Sequence, residues 1–225
     1  IGPNGSGKTT LLHLIMGLHQ PTTGTLLFKG SQVSGKEDLK KLRRSIGLVF
    51  QDADDQLFSP TVIEDVAFGP LNLGKRPEEA LEIANRTLQD LGLSELADRV
   101  THRLSGGEKK LVSLATVLSM QPEVVAFDEP FSNLHPAMVD QLSELIRGLD
   151  ATVILVSQAL LPLTVACDRI AILDGGRILA VGDTGEILSD RPLLRSCGLD
   201  FHHFHQRLHE LMELNPREEG GHRHE

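Results

Sequence analysis

Gly2-Pro3-Asn4-Gly5-Ser6-Gly7-Lys8-Thr9-Thr10 decides how the rest of the chain is read. A glycine, four residues and then Gly-Lys-Thr is the spacing with which successive backbone N–H groups wrap a phosphate at a helix N-terminus. Lys8 is expected to reach the β- and γ-phosphates and Thr9 to offer its hydroxyl to Mg²⁺, which makes the ligand a magnesium nucleotide and not a bare anion. Leu11, Leu12, Leu14, Ile15 and Met16 follow with helical spacing and stop at Gly17, so the loop should run into a buried helix. Such a loop needs a strand ahead of it to aim its backbone. Only Ile1 stands there, and the sequence is expected to lack an N-terminal segment.

Further along, Val124-Val125-Ala126-Phe127-Asp128-Glu129 is an apolar strand ending in two carboxylates. A strand end of this kind lies where open α/β sheets bind nucleotides. Asp128 is expected to hold Mg²⁺ through water and Glu129 to polarise an attacking water as general base, a division that hydrolysis needs and binding alone does not. An apolar strand ending in Asp-Glu is also what any solvated strand end looks like; the phosphate loop upstream gives it meaning. Leu104-Ser105-Gly106-Gly107-Glu108 precedes a helical pattern through Leu111, Leu114, Ala115 and Leu118. Ser105 with Glu108 three residues on reads as a capping box. The two glycines are not needed for that, and they would expose N–H donors for a second phosphate.

Between these motifs the chain alternates. Strands are expected at Thr25–Phe28, Ile46–Phe50, Val124–Phe127, Thr152–Val156 and Arg169–Leu173, with a helix over Pro136–Leu149. From about 61 to 120 the pattern is helical, Pro77 opening one helix over Glu78–Leu91 and Gly92 closing it. Asp174-Gly175-Gly176-Arg177 reads as a hairpin turn. The fold class is therefore α/β: a phosphate-loop nucleotide-binding domain with a mostly parallel sheet, a small antiparallel part and a helical subdomain. One domain is expected over residues 1–190, then a polar, histidine-rich tail over 191–225.

The 225 residues are 40% hydrophobic and 24% charged, as in an ordinary packed protein. No apolar run is long enough to span a bilayer, so a membrane role requires a partner. A net charge of −9 argues against a general nucleic-acid binder. Cys167 and Cys197 have neither metal-site nor disulfide-framework spacing.

Leu-Ser-Gly-Gly-Glu lying between a phosphate loop and an Asp-Glu strand resembles the signature of ATP-binding cassette ATPases, and the resemblance runs from Ile1 to about Ser189. It implies ATP and Mg²⁺ as ligands, and a second cassette packed head to tail so that Ser105, Gly106 and Gly107 close on the partner's nucleotide. It further implies an integral membrane subunit as partner, no nucleic acid, and a place on the cytoplasmic face of the membrane. Gln51, after Gly47–Phe50, matches the family's glutamine loop, which meets Mg²⁺ or water and senses the membrane subunit. Residues 50–70 resemble the energy-coupling-factor group of cobalt, nickel and vitamin importers, so import of cobalt or nickel is the expected task. Two positions depart from the family. His135 stands where an aspartate is usual, and Gln158 where a switch histidine bonds the γ-phosphate. An amide donates one hydrogen bond but carries no charge, so hydrolysis is expected to be slow and nonzero. A regulatory nucleotide-binding module with negligible hydrolysis is the alternative these departures raise. A non-transport cassette ATPase is a further one, although the sequence has no coiled-coil insertion, zinc motif or second cassette to serve it. In the tail, His202, His205 and His209 share a helical face beside Phe201, Phe204, Leu208 and Leu211. An amphipathic helix with incidental histidines and a weak Ni²⁺ or Co²⁺ site both fit that pattern.

Overall fold

The computed structural model describes residues 1–199. The phosphate loop leads directly into helix α1, Lys8–Ile15. A two-residue ribbon follows, β1 (Leu27–Phe28) and β2 (Ser31–Gln32), turning through Lys29 and Gly30, both at positive φ. This is shorter than the strand expected over Thr25–Phe28. Leu26 still accepts from the Val33 N–H at 2.9 Å, so the ladder continues without forming a longer strand.

Helix α2, Gly35–Ser45, feeds β3, Ile46–Val49. Three helices come next: α3 (Val62–Asn72), α4 (Pro77–Asp90) and α5 (Gly106–Leu118). Proline at the start and glycine past the end explain the bounds of α4, since Gly92 takes φ 69° and lets the Leu93 N–H reach back to Leu88 O at 2.7 Å. Then come β4 (Val124–Asp128), α6 (Pro136–Arg147), β5 (Thr152–Val156) and the short α7 (Leu160–Ala166). Strands β6 (Arg169–Asp174) and β7 (Arg177–Asp183) form a hairpin, followed by α8 (Thr184–Ser189) and α9 (Arg191–Ser196). Gly175 and Gly176, at φ 52° and 75°, make its two-residue turn, a backbone that side chains resist.

The parallel sheet has the order β3-β4-β5, with Ile46 opposite Val124 and Val124 opposite Thr152. Strand alternation gives it two apolar faces. Val125 and Phe127 pack with Val66, Leu88, Leu111 and Leu114 of the helical segment, while Ala126 packs with Leu12, Met16 and Leu42 on the other side. Sheet and helical segment therefore share one core. Around β6, Ile170 and Ile172 pack with Ile187, Leu194, Cys197 and Leu199, so the chain just beyond Arg191 lies against the folded body. All three parallel strands end on one edge, and their next residues bring Gln51, Glu129 and Gln158 to that edge.

Candidate functional site

Gly2 lies so close to β6 that a Cβ there would sit 2.0 Å from the Leu173 carbonyl oxygen. Gly5 and Gly7 take φ 77° and 100°, which curls the loop around the start of α1. No side chain caps that helix, so its first N–H groups face the loop's concavity. The hairpin turn steadies the loop through the Gly176 N–H on Ser6 O at 3.0 Å. Lys8 is buried and its ammonium donates to Gly2 O at 2.9 Å and Pro3 O at 3.1 Å. A cation thus sits within a ring of amides, the local opposite of the chain's negative total.

Thr9 Oγ1 donates to Asp128 Oδ1 at 3.2 Å across 119 residues of sequence. A hydroxyl and a carboxylate held together are hard oxygen donors suited to Mg²⁺. Glu129 is bent into positive φ, 45°, with its N–H on Val156 O at 2.9 Å. Its Oε2 accepts from the Gln158 N–H at 3.1 Å, while Oε1 is buried without a hydrogen-bond partner. A carboxylate with one oxygen fixed and the other unpartnered is oriented and still able to accept a proton. The Gln158 amide donates to Asn4 Oδ1 at 2.7 Å and so joins the end of β5 to the phosphate loop.

These groups line a cavity of about 570 Å³ that takes in Asn4, Gly5, Gly7, Lys8, Thr9, Thr10, Gln51, Glu129 and Gln158. A neighbouring space of about 620 Å³ is bounded by Thr9, Gln51 and Asp128 on one side and by Gly106, Lys109 and Lys110 on the other. Gln51 borders both. The donor set fits a triphosphate nucleotide with Mg²⁺.

Ser105 and Gly107 stand away from the phosphate loop's cavity. Ser105 caps α5: its Oγ accepts from the Glu108 N–H at 3.3 Å, and Glu108 Oε2 accepts from the Ser105 N–H at 2.7 Å. That backbone bond, before any other cause, lowers the Glu108 carboxyl from its ordinary range. Gly107 faces Met138, whose side-chain tip, Cε, would lie 2.8 Å from a Cβ there and would have to shift to admit one. Gly106 has no such neighbour, with nothing within 4 Å of a Cβ built there. His135 caps α6, its Nδ1 accepting from the Ala137 N–H at 3.4 Å. His202, His205 and His209 lie outside the described residues.

Two residues that the motifs did not single out also border this region. Lys110 is 7% exposed and donates to the Gln51 carbonyl oxygen. Burial pushes its ammonium down, opposed by the nearby Asp52, Asp128 and Glu129 carboxylates. Gln56 ties Phe50 to α5. The sequence signal for Lys110 was its helical spacing with Ser113 and Val117, both buried, which puts a charge on an inward face.

Comparison with known proteins gives a consistent answer. The profile of the ABC transporter family matches residues 1–132. The cobalt import ATP-binding protein CbiO of Rhodobacter capsulatus is 44% identical over 203 residues, covering 88% of this chain and 72% of its own length. The energy-coupling factor transporter ATP-binding protein EcfA1 of Methanospirillum hungatei is 41% identical over 204 residues, covering 89% and 73%. Among solved structures, cbiO1 of Clostridium perfringens, part of the ABC transporter complex cbiONQ, superposes with a TM-score of 0.77 at 34% identity, covering 95% of this chain and 85% of that one.

Proposed function

The chain belongs to the ABC transporter family as an ATP-binding subunit, and from that premise we propose that it hydrolyses ATP to drive import of cobalt or nickel ions through a separate membrane subunit. The observation that carries the hydrolytic part is the Thr9–Asp128 pair beside a Glu129 carboxylate with one oxygen held and the other unpartnered. The names of the relatives, one a cobalt importer, support the substrate.

The N–H groups of the loop and α1 wrap the phosphates, and Lys8 opposes the charge that develops between the β- and γ-phosphates. Thr9, Asp128 and Gln51 are the residues to hold Mg²⁺, which when bound neutralises phosphate charge and orients the γ-phosphate for in-line attack. Glu129 Oε1 takes a proton from water as the water oxygen bonds to the γ-phosphorus. The bond from that phosphorus to the oxygen bridging to the β-phosphate breaks, leaving ADP and phosphate. Gln158 donates to the γ-phosphate from its amide without adding charge.

Two such chains, or this chain and a second cassette, sandwich ATP between one phosphate loop and the other's Ser105–Gly107 turn. Among the described residues no helix is long and apolar enough to cross a membrane. Phe58 and Phe68, 66% and 44% exposed and stacked edge to face at 4.7 Å, form with Leu71 an apolar patch. It lies on α3 and the chain leading to it from Gln51. A membrane subunit docked at that patch on the cytoplasmic side feels closure and reopening of the pair.

The test of hydrolysis is phosphate release by the full-length protein with Mg-ATP, comparing wild type with Glu129→Gln. Loss of about 100-fold or more with nucleotide binding retained is expected, since a general base contributes on that order. Equal turnover in the two proteins would remove Glu129 from the chemistry.

A further inference from the structure

Three side chains latch the loop that carries Gln51 onto the first turns of α5. The Lys110 ammonium donates to the Gln51 backbone oxygen. Gln56 Oε1 accepts from the Phe50 N–H at 3.1 Å, while its Nε2 donates to Ser113 O and Thr116 Oγ1, both at 2.7 Å. Lys109 meets Asp54 at 2.5 Å, a pair whose acid is largely exposed and which therefore adds little holding power.

Lys110 decides what the latch is for. A buried ammonium whose hydrogen-bond acceptor is a neutral carbonyl is a poor stabiliser, and methionine of similar length would fill the same space without the desolvation cost. The residue nevertheless holds the backbone of the glutamine that borders Thr9 and Asp128. Gln56 fixes the other end of the same loop and has both ends of its amide satisfied. Lys110 is also only three residues beyond Gly107, in the helix that begins with the Ser105–Gly107 turn. The loop and the turn are both tied to α5.

We propose that Lys110 and Gln56 are positioning residues for ATP hydrolysis, transmitting displacement of the Ser105–Gly107 turn, where the partner's nucleotide docks, to Gln51 in the chain's own metal site. The inference rests on the proposed reading of Gln51 as a Mg²⁺ or water contact. Each cassette then senses its partner's nucleotide through its own α5.

The experiment uses the full-length protein and the variants Lys110→Met, Lys110→Arg and Gln56→Leu. Three quantities are read: amide hydrogen exchange, the thermal midpoint, and the Mg²⁺ concentration for half-maximal ATP hydrolysis. Lys110→Met is expected to keep the thermal midpoint and speed exchange over residues 50–57 by about tenfold, the factor for losing one well-formed hydrogen bond. Exchange in β4 stays unchanged, the Mg²⁺ requirement rises, and Lys110→Arg restores part of the effect. Gln56→Leu should behave as Lys110→Met does. Exchange over 50–57 and Mg²⁺ dependence that match wild type would overturn the proposal, as would a general rise in exchange with a lowered midpoint, which marks a merely structural role. If wild type and Glu129→Gln turn over ATP equally, the reading of the site fails instead, and exchange over 50–57 still decides the latch.

Discussion

Gln158 enters the site twice, and its two contacts have different owners. The bond to Glu129 Oε2 comes from its backbone N–H, which every residue but proline supplies; the bond to Asn4 comes from the side chain. Substitution at this position therefore removes the bond to Asn4, and with it the amide proposed to meet the γ-phosphate, while leaving the backbone bond to Glu129 in place. Gln158→His is expected to raise steady-state turnover about tenfold, roughly 1.4 kcal/mol of added transition-state stabilisation, because an imidazolium carries charge to the developing phosphate and an amide does not. Phosphate release at saturating Mg-ATP measures it, and a rate unchanged by the histidine would mean that this position does not limit the reaction. Gln158 was singled out in sequence by resemblance to the family's switch position, at the end of the β-prone run Thr152–Val156. Its bond to Asn4 was not, since 154 residues separate the two and no local pattern records their meeting. The strained φ of Glu129 and its single free oxygen belong to the same class, consequences of packing β4 against β5.

Elements show the same division between local signals and long-range ones. Pro77 and Gly92 punctuate α4 chemically, so its ends were readable to within a residue, whereas β1 starts only at Leu27 although the Leu26 carbonyl still accepts from the Val33 N–H. Helix α6 is capped by an imidazole at 3.4 Å, a long bond from a group that carries no fixed negative charge. His135→Asp places a carboxylate at the same N-terminus, where it accepts a shorter bond and meets the favourable end of the helix dipole. The expected gain is about 0.5–1 kcal/mol, or about 2 °C in the thermal midpoint by differential scanning calorimetry. A lowered midpoint would show that the histidine's ring packing matters more than the cap. Helix α5 approaches β3 so closely that a Cβ on Gly47 would lie 2.2 Å from Val117 Cγ1 and 3.3 Å from Pro122. Gly47→Ala is accordingly expected to cost about 1–3 kcal/mol, seen as a lower denaturant midpoint, because one of two packed elements must move. Nothing near Gly47 in sequence announces this contact; it follows from the docking of a helix seventy residues downstream.

At the scale of the molecule, the proposed link from nucleotide to membrane is a matter of placement. The parallel strands deliver the phosphate chemistry to one edge, and the chain leaving β3 runs from Gln51 past Gln56 and Phe58 into α3, where the exposed Phe58–Phe68 pair stands. Motifs marked the first of these in advance, because phosphate binding imposes fixed spacings on glycine, lysine and threonine. They left Gln56 and Lys110 unmarked, because a latch between a loop and a helix imposes none. If the apolar patch receives the membrane subunit, charging it should separate transport from ATP chemistry. Phe58, at 66% exposure, is the residue to change, since an aspartate there meets water in the free protein and costs the fold little. Cells producing the full-length protein with its neighbouring membrane subunits are expected to accumulate radiolabelled Co²⁺ or Ni²⁺. Both Phe58→Asp and Glu129→Gln should abolish accumulation, but only Glu129→Gln should abolish Mg-ATP hydrolysis by the purified protein. Accumulation that survives Phe58→Asp would move the docking surface elsewhere. Absence of uptake of either ion in wild type, with hydrolysis intact, would leave the ATP-driven reading in place and turn the search for cargo toward vitamins.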